Sequence, residues 1–135
     1  MRTQPQDVIS KLEADNSRLV KESILLHTMH EGLDEFFEGV RMALDPLVTF
    51  GVKKVPERSD VLTGQGLDWT TFKVLAEQLR KRELTGHAAR DAIELAMSVA
   101  TTEQWNGFYR RILIKDLRCG MSEKTVNKVA KDFPQ

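Results

Sequence analysis

The sequence predicts an all-α fold, in which about six to seven helices form a compact bundle within a single domain covering residues 1–135. Apolar residues recur at spacings of three and four along nearly the whole chain, which is the period of an α-helix. Residues that favour helix N-caps stand before most of these segments. No segment alternates apolar and polar residues strongly enough to predict a strand. A single domain also fits the length, because 135 residues can bury one hydrophobic core.

Residues 1–47 predict the N-terminal helices. Pro5 suits the first turn of the first helix, and Asn16-Ser17 can end that helix and cap the second. Asp45-Pro46 should end the third, because proline disrupts a helix interior. The apolar residues of the three helices are Val8, Ile9 and Leu12; Leu19, Val20, Ile24, Leu25 and Leu26; and Leu33, Phe36, Phe37, Val40 and Leu44.

Residues 48–66 break the helical pattern with three glycines and a proline, so we expect a loop within the domain. Residues 67–135 return to helical spacing. The expected N-caps in this part are Asp68, Thr85, Thr101 and Ser122. We expect the helix that starts near Thr101 to run past Leu117 and to end at Gly120, a typical residue for the position after a helix.

The formal net charge is zero, but the charges are unevenly distributed. Residues 1–50 have a net charge of −4, residues 51–101 of +1 and residues 102–135 of +3. A basic end on a neutral chain favours a polyanionic partner such as a nucleic acid. The alternative is an ordinary solvated helix face.

Several classes of site are missing from the sequence. The chain has one cysteine, Cys119, which leaves no internal disulfide and no cysteine cluster for zinc. His27 and His30 share a helix face but have no third ligand nearby, and no phosphate-binding loop or catalytic motif is present. We therefore predict no catalytic residue, metal or cofactor in this chain. We also predict no membrane span, and a cytoplasmic, monomeric protein.

The most informative segment is residues 110–129, which predict a helix, a glycine-containing turn and a second helix. The amides at the start of the second helix would lack intrahelical partners and could bind a phosphate. The candidate binding residues are Lys115, Arg118, Gly120, Ser122, Lys124 and Lys128. The alternative is an ordinary turn between helices with incidental lysines.

Residues 80–89 show the same order of features: a basic helix end, then a turn of small residues, then the start of a helix. Its candidate binding residues are Arg82, Thr85, Gly86 and His87, and Lys53 and Lys54 in the central loop form a third basic patch. Two such turns could contact successive stretches of one duplex.

One further pattern has two interpretations. Residues 30–37 are similar to a sliding-clamp binding peptide, with His30 in place of the usual glutamine. Leu33, Phe36 and Phe37 also fall where a core helix would place them, and we expect a core role. A helix-turn-helix regulator and a protein-interaction module remain the alternatives to non-specific DNA binding.

The two turn segments together resemble the N-terminal DNA-binding domain of ATP-dependent DNA ligases, most closely those of T-even bacteriophages. The matching blocks are Arg82-Glu83-Leu84-Thr85-Gly86-His87-Ala88-Ala89, then Arg110-Arg111 and Lys115-Asp116-Leu117-Arg118-Cys119-Gly120-Met121-Ser122, and then Asn127-Lys128-Val129. Residues 1–66 resemble the family only loosely.

The resemblance implies a helical domain that binds the minor groove on both sides of a nick, in an enzyme of replication, repair and recombination. The family's adenylation motif and OB-fold are missing from these residues, so the chain is expected to be a fragment. ATP and Mg²⁺ would then act on the missing core, in the cytoplasm of the host bacterium if a phage encodes the protein. The implied partners are duplex or nicked DNA and a sliding clamp.

Overall fold

The computed structural model of the protein describes residues 4–52, 54–59, 64–121 and 123–132, and this part of the chain contains seven helices and no strand. The first five are α1 (Pro5–Glu13), α2 (Arg18–His30), α3 (Asp34–Leu44), α4 (Trp69–Arg80) and α5 (Gly86–Val99). Helix α6 is continuous over residues 102–113, and α7 is Glu123–Asp132. The predicted all-α class is confirmed.

Capping residues fix several of these helices as the sequence predicts. The Ser17 hydroxyl accepts a hydrogen bond from the Val20 amide at the start of α2. At the start of α4, the Asp68 carboxylate accepts hydrogen bonds from the Thr71 hydroxyl and the Thr71 amide, and these contacts lower the pKa of Asp68. Each cap satisfies an amide that has no partner inside its helix.

Helix α6 contains a widened turn between two α-helical turns. Its pieces are Thr102–Gln104, the π-helical Trp105–Tyr109, and Arg110–Leu113. The Arg110 amide bonds to the Trp105 carbonyl, five residues back, which defines the π turn.

The hydrophobic core lies where α1, α3 and α4 pack around α6. Phe36 and Phe108 are fully buried and stack with ring centroids 6.2 Å apart. Gly39 lets α3 approach closely, since a Cβ there would lie 2.5 Å from Phe108 Cζ. Helix α7 packs on α2 at the edge of this bundle. None of the helices described is long and apolar enough to cross a membrane.

Candidate nucleic-acid interface

The first bend, residues 81–86, begins where α4 ends. Arg82 adopts a left-handed conformation with φ 62°. Its amide donates to the Leu79 carbonyl at 3.1 Å, and the Glu83 amide donates to the Gln78 carbonyl at 2.8 Å. This pair of bonds is a Schellman motif, in which the left-handed position is usually glycine. Here an arginine occupies it.

The second bend, residues 114–121, begins with the same motif. Lys115 has φ 57°, its amide donates to Ile112, and the Asp116 amide donates to Arg111, both at 3.0 Å. The predicted extension of this helix to Gly120 is therefore wrong, because α6 ends at Leu113. The left-handed Lys115 turns the chain out of the helix five residues before the glycine, so Lys115 and Arg118 lie in the bend itself.

The first bend presents an exposed helix start. Thr85, Gly86 and His87 are all exposed, and Gly86 is left-handed with φ 57° and open space where a Cβ would lie. Thr85 is in the N-cap position, but its side chain makes no capping hydrogen bond. Within the described residues, the amides of Gly86, His87 and Ala88 have no acceptor. Three adjacent donors at a helix N-terminus can bind an anion.

The second bend alternates buried anchors with exposed residues. Leu117, Cys119 and Met121 are buried, whereas Arg118 and Gly120 are exposed and left-handed, with φ 54° and 67°. The buried residues attach the bend to the bundle, and the exposed residues between them face solvent. The Arg118 guanidinium is half-exposed and lies 3.6 Å from the Asp116 carboxylate, so its only charged contact with a described residue is at the surface.

The side chains of Arg82 and Lys115 both contact one segment, residues 42–49. Arg82 donates to the Thr49 carbonyl and hydroxyl, both at 3.0 Å. The Lys115 ammonium donates to the carbonyls of Met42 at 2.6 Å and Asp45 at 2.9 Å. Partial burial lowers the pKa of Lys115. Direct DNA binding by both residues stays a prediction; in the structure their head groups donate to oxygens of the protein itself.

Residues next to both bends line one groove of the bundle. A groove of about 720 Å³ is lined by Arg80, at the entry to the first bend, and by Val126 and Asn127, which follow the second bend on α7. Asp45 and Phe50 of the intervening segment line it too. Both bends also contact one segment, residues 42–49, which runs along this groove.

Lys21 of α2 contacts the second bend and is not among the predicted site residues. Its side chain is buried, and its ammonium donates to the carbonyls of Cys119 at 2.6 Å and Gly120 at 3.2 Å. A Cβ at Gly120 would collide with this ammonium, so the glycine has a structural role beside its predicted binding role. The helical spacing could have indicated that this lysine is buried, since Lys21, Leu25 and Thr28 share one buried face of α2.

The remaining candidates are distributed around the bends. Lys124 is exposed on the first turn of α7. Lys128 is half-exposed and pairs with Glu22 of α2 at 3.2 Å, a contact that lowers the pKa of Glu22. Lys54 is exposed in the central loop. Ser122 and Lys53 lie outside the described residues.

The clamp-like segment and the lone cysteine both pack into the core. Leu33 and Phe36 are buried, and Phe37 packs against the core, which confirms the core interpretation of the clamp-like segment. Burial also raises the pKa of the Cys119 thiol. His27 lies 2.6 Å from Glu31, and no cluster of three or more His, Cys, Asp or Glu in the described ranges could hold a metal ion.

Two solved structures whose names mark them as ligases are closely similar to this chain. Pmar-Lig_Pre. superposes with a TM-score of 0.95 at 59% sequence identity, and Pmar-Lig_PreS3 with 0.94 at 60%. Both alignments cover 98% of this chain. No protein-family model matches the chain, and no curated protein is similar to it at a significant level.

The chain spans about a third of the ligases that it matches, since the alignments cover 30% and 31% of their lengths. Identity near 60% over almost the whole chain is far above what a shared helical architecture alone would give. Over nearly its whole length, the chain is therefore closely similar to about a third of each ligase-named structure.

Proposed function

We propose that this domain binds duplex DNA without sequence preference and serves as the N-terminal DNA-binding domain of an ATP-dependent DNA ligase. The complete enzyme would seal nicks in replication, repair and recombination, with ATP and Mg²⁺ acting on the part of the enzyme beyond this domain. The observation that carries the proposal is that both bends expose their glycines and both contact one segment, residues 42–49, in a chain closely similar to the ligase-named structures.

The chemistry of both bends suits a phosphate backbone better than base edges. The first bend offers the amides of Gly86 and His87, and the second adds the cations of Arg118 and Lys124. Amides at a helix start and surface cations bind phosphates of any sequence. Base readout instead needs side chains such as asparagine or arginine presented together on a recognition helix, which these bends lack.

Exposed glycines on each bend suit a minor-groove contact. Gly86 and Gly120 carry no side chain that would hold the sugar–phosphate backbone away. Contacts from two separate bends would engage two stretches of a duplex, as expected for a domain that spans a nick. The buried Leu33 and Phe36 disfavour the interaction-module alternative at that helix, and a clamp contact elsewhere stays a prediction.

The proposal is tested by fluorescence anisotropy on nicked, intact and single-stranded DNA of several sequences across a salt series. We expect duplex binding at roughly micromolar affinity or weaker near physiological salt, similar for all sequences. The logarithm of the binding constant should fall with the logarithm of salt at about −0.9 per neutralised phosphate, for about four to six phosphates. A salt-independent signal, or preference for one sequence, would overturn the proposal.

A matched pair of variants locates the contact. Lys124→Ala should reduce the steepness of the salt dependence by about 0.9, because one phosphate contact is lost. Lys11→Ala removes an exposed lysine of α1 that belongs to neither bend, and it should leave the slope unchanged. Equal slopes for both variants and the wild type would remove Lys124 from the interface.

A further inference from the structure

We infer that Arg82 and Lys115 are positioning residues, which tie both bends to residues 42–49 and so set the spacing of the bends on DNA. The inference rests on the proposed function and assigns these two cations a role distinct from phosphate contact. It starts from their unusual backbone conformations.

Both residues occupy a position where glycine is the ordinary choice. A left-handed conformation costs an L-residue about 1–2 kcal/mol relative to glycine. Arg82 and Lys115 hold this conformation at the matching position of two Schellman motifs, with φ 62° and 57°. Strain at two equivalent positions, where glycine would be relaxed, leads to the hypothesis that these two side chains have a specific role.

The hydrogen-bond acceptors of Arg82 and Lys115 indicate what this role is. Arg82 also donates to the Leu79 carbonyl at 2.9 Å, so its guanidinium joins the end of α4 to Thr49. Lys115 joins the end of α6 to the end of α3 through Met42 and Asp45, and its ammonium lies 5.8 Å from the Phe50 ring centroid. Every acceptor of these two head groups is a neutral oxygen of the protein itself.

The two ties meet on a short stretch of chain. Asp45 and Thr49 are four residues apart, which limits their separation to about 14 Å even if the chain were fully extended. The Val48 amide donates to the Asp45 carbonyl at 3.1 Å, so the stretch is folded into a turn and is shorter still. One compact turn therefore receives a cation from each bend.

The segment also explains why a glycine follows it. A Cβ at Gly51 would lie 3.0 Å from Arg82 Cζ, and Gly51 is left-handed with φ 71°. A side chain at Gly51 would crowd the guanidinium that holds the first bend.

The test uses Arg82→Gly and Lys115→Gly, because glycine relieves the backbone strain while it removes the tie. Nicked-duplex affinity is measured by anisotropy over a salt series, at a temperature where thermal unfolding shows each variant folded. We expect roughly threefold to tenfold weaker binding for each variant, with the salt slope unchanged. Lys11→Ala is the control, since it removes an exposed charge of α1 that belongs to neither bend, and it should keep the wild-type affinity and slope.

The outcomes separate the inference from the function on which it rests. A slope shallower by about 0.9 in either variant would make that residue a phosphate contact and overturn the inference. Wild-type affinity and slope in both glycine variants would overturn it as well. If Lys115→Gly does not fold, Lys115→Met retains the stem over Phe50 and replaces it in the test. Absence of binding by the wild-type domain would instead refute the proposed function.

Discussion

Lys21 and Gly120 give the sharpest quantitative prediction for the second bend. Lys21→Met keeps a side chain of similar reach to Cε but removes the ammonium that donates to Cys119 and Gly120. A hydrogen bond to a charged group contributes about 1.5–3 kcal/mol. Cys119 is buried while Gly120 is exposed, so water can replace the second bond but not the first. We expect Lys21→Met to lower the free energy of unfolding by about 2 kcal/mol.

Gly120→Ala should be destabilising for two separate reasons. Its left-handed φ of 67° costs an alanine about 1–2 kcal/mol. The new Cβ would also displace the Lys21 ammonium from its two carbonyl acceptors, which adds about 2 kcal/mol. The single variant should therefore lose about 3–4 kcal/mol.

The double variant separates these two contributions. Lys21 Cε lies 3.8 Å from the added Cβ, an ordinary contact, and the methionine ends near that atom. With methionine at position 21, Gly120→Ala should cost only the conformational part, so the two substitutions should couple by about 2 kcal/mol. The assay is urea unfolding of all four proteins followed by circular dichroism, with equal m-values as the control. Additivity within about 0.5 kcal/mol would refute the argument.

Three further predictions concern the core and the thiol. Phe36→Ala should destabilise the domain by about 3–5 kcal/mol, because a fully buried ring is lost, and a smaller loss in urea unfolding would contradict its core role. Gly39→Ala should cost about 1–3 kcal/mol by forcing a Cβ against Phe108, and a melting temperature equal to wild type would show that α3 and α6 pack less closely. Cys119 should react with a thiol reagent at pH 8 only on unfolding, since burial raises its pKa. For the same reason its contribution to stability should be lost as pH rises above about 8.5, the ordinary thiol value, and rapid native labelling would contradict this.

The sequence was sufficient for most helices because their signals are local. Ser17 and Asp68 cap the amides three residues ahead of them, and the apolar residues of α3 repeat at the helical period. Caps and periodicity act within one or two turns of a helix, so they can be read without knowing the fold.

The end of α6 could not be found in this way. Ile114, Leu117 and Met121 continue a helix-like spacing, yet the helix stops at Leu113. The chain leaves the helix because Lys115 is left-handed, and its ammonium finds acceptors 70 and 73 residues away in the sequence. Long-range acceptors of this kind have no local signature.

The sequence supplies the candidate residues of the interface, but not their contacts within the protein. The exposed residues Gly86, His87 and Arg118 were identified as candidates from their positions near glycine turns. The cations of Arg82 and Lys115 were grouped with them because charge is visible in a sequence and hydrogen-bond partners are not. Lys21 was overlooked since a lysine within a helix ordinarily lies on the solvent side.

The central claim, that both bends form one DNA-binding face, is tested most directly by NMR. Titration of the ¹⁵N-labelled domain with a nicked duplex should shift the amides of Gly86 and His87 together with those of Arg118, Gly120 and Lys124. All five should follow one binding curve, because both bends engage the same duplex. Shifts confined to one bend, or centred on the exposed Leu95 and Val99 of α5, would contradict the account.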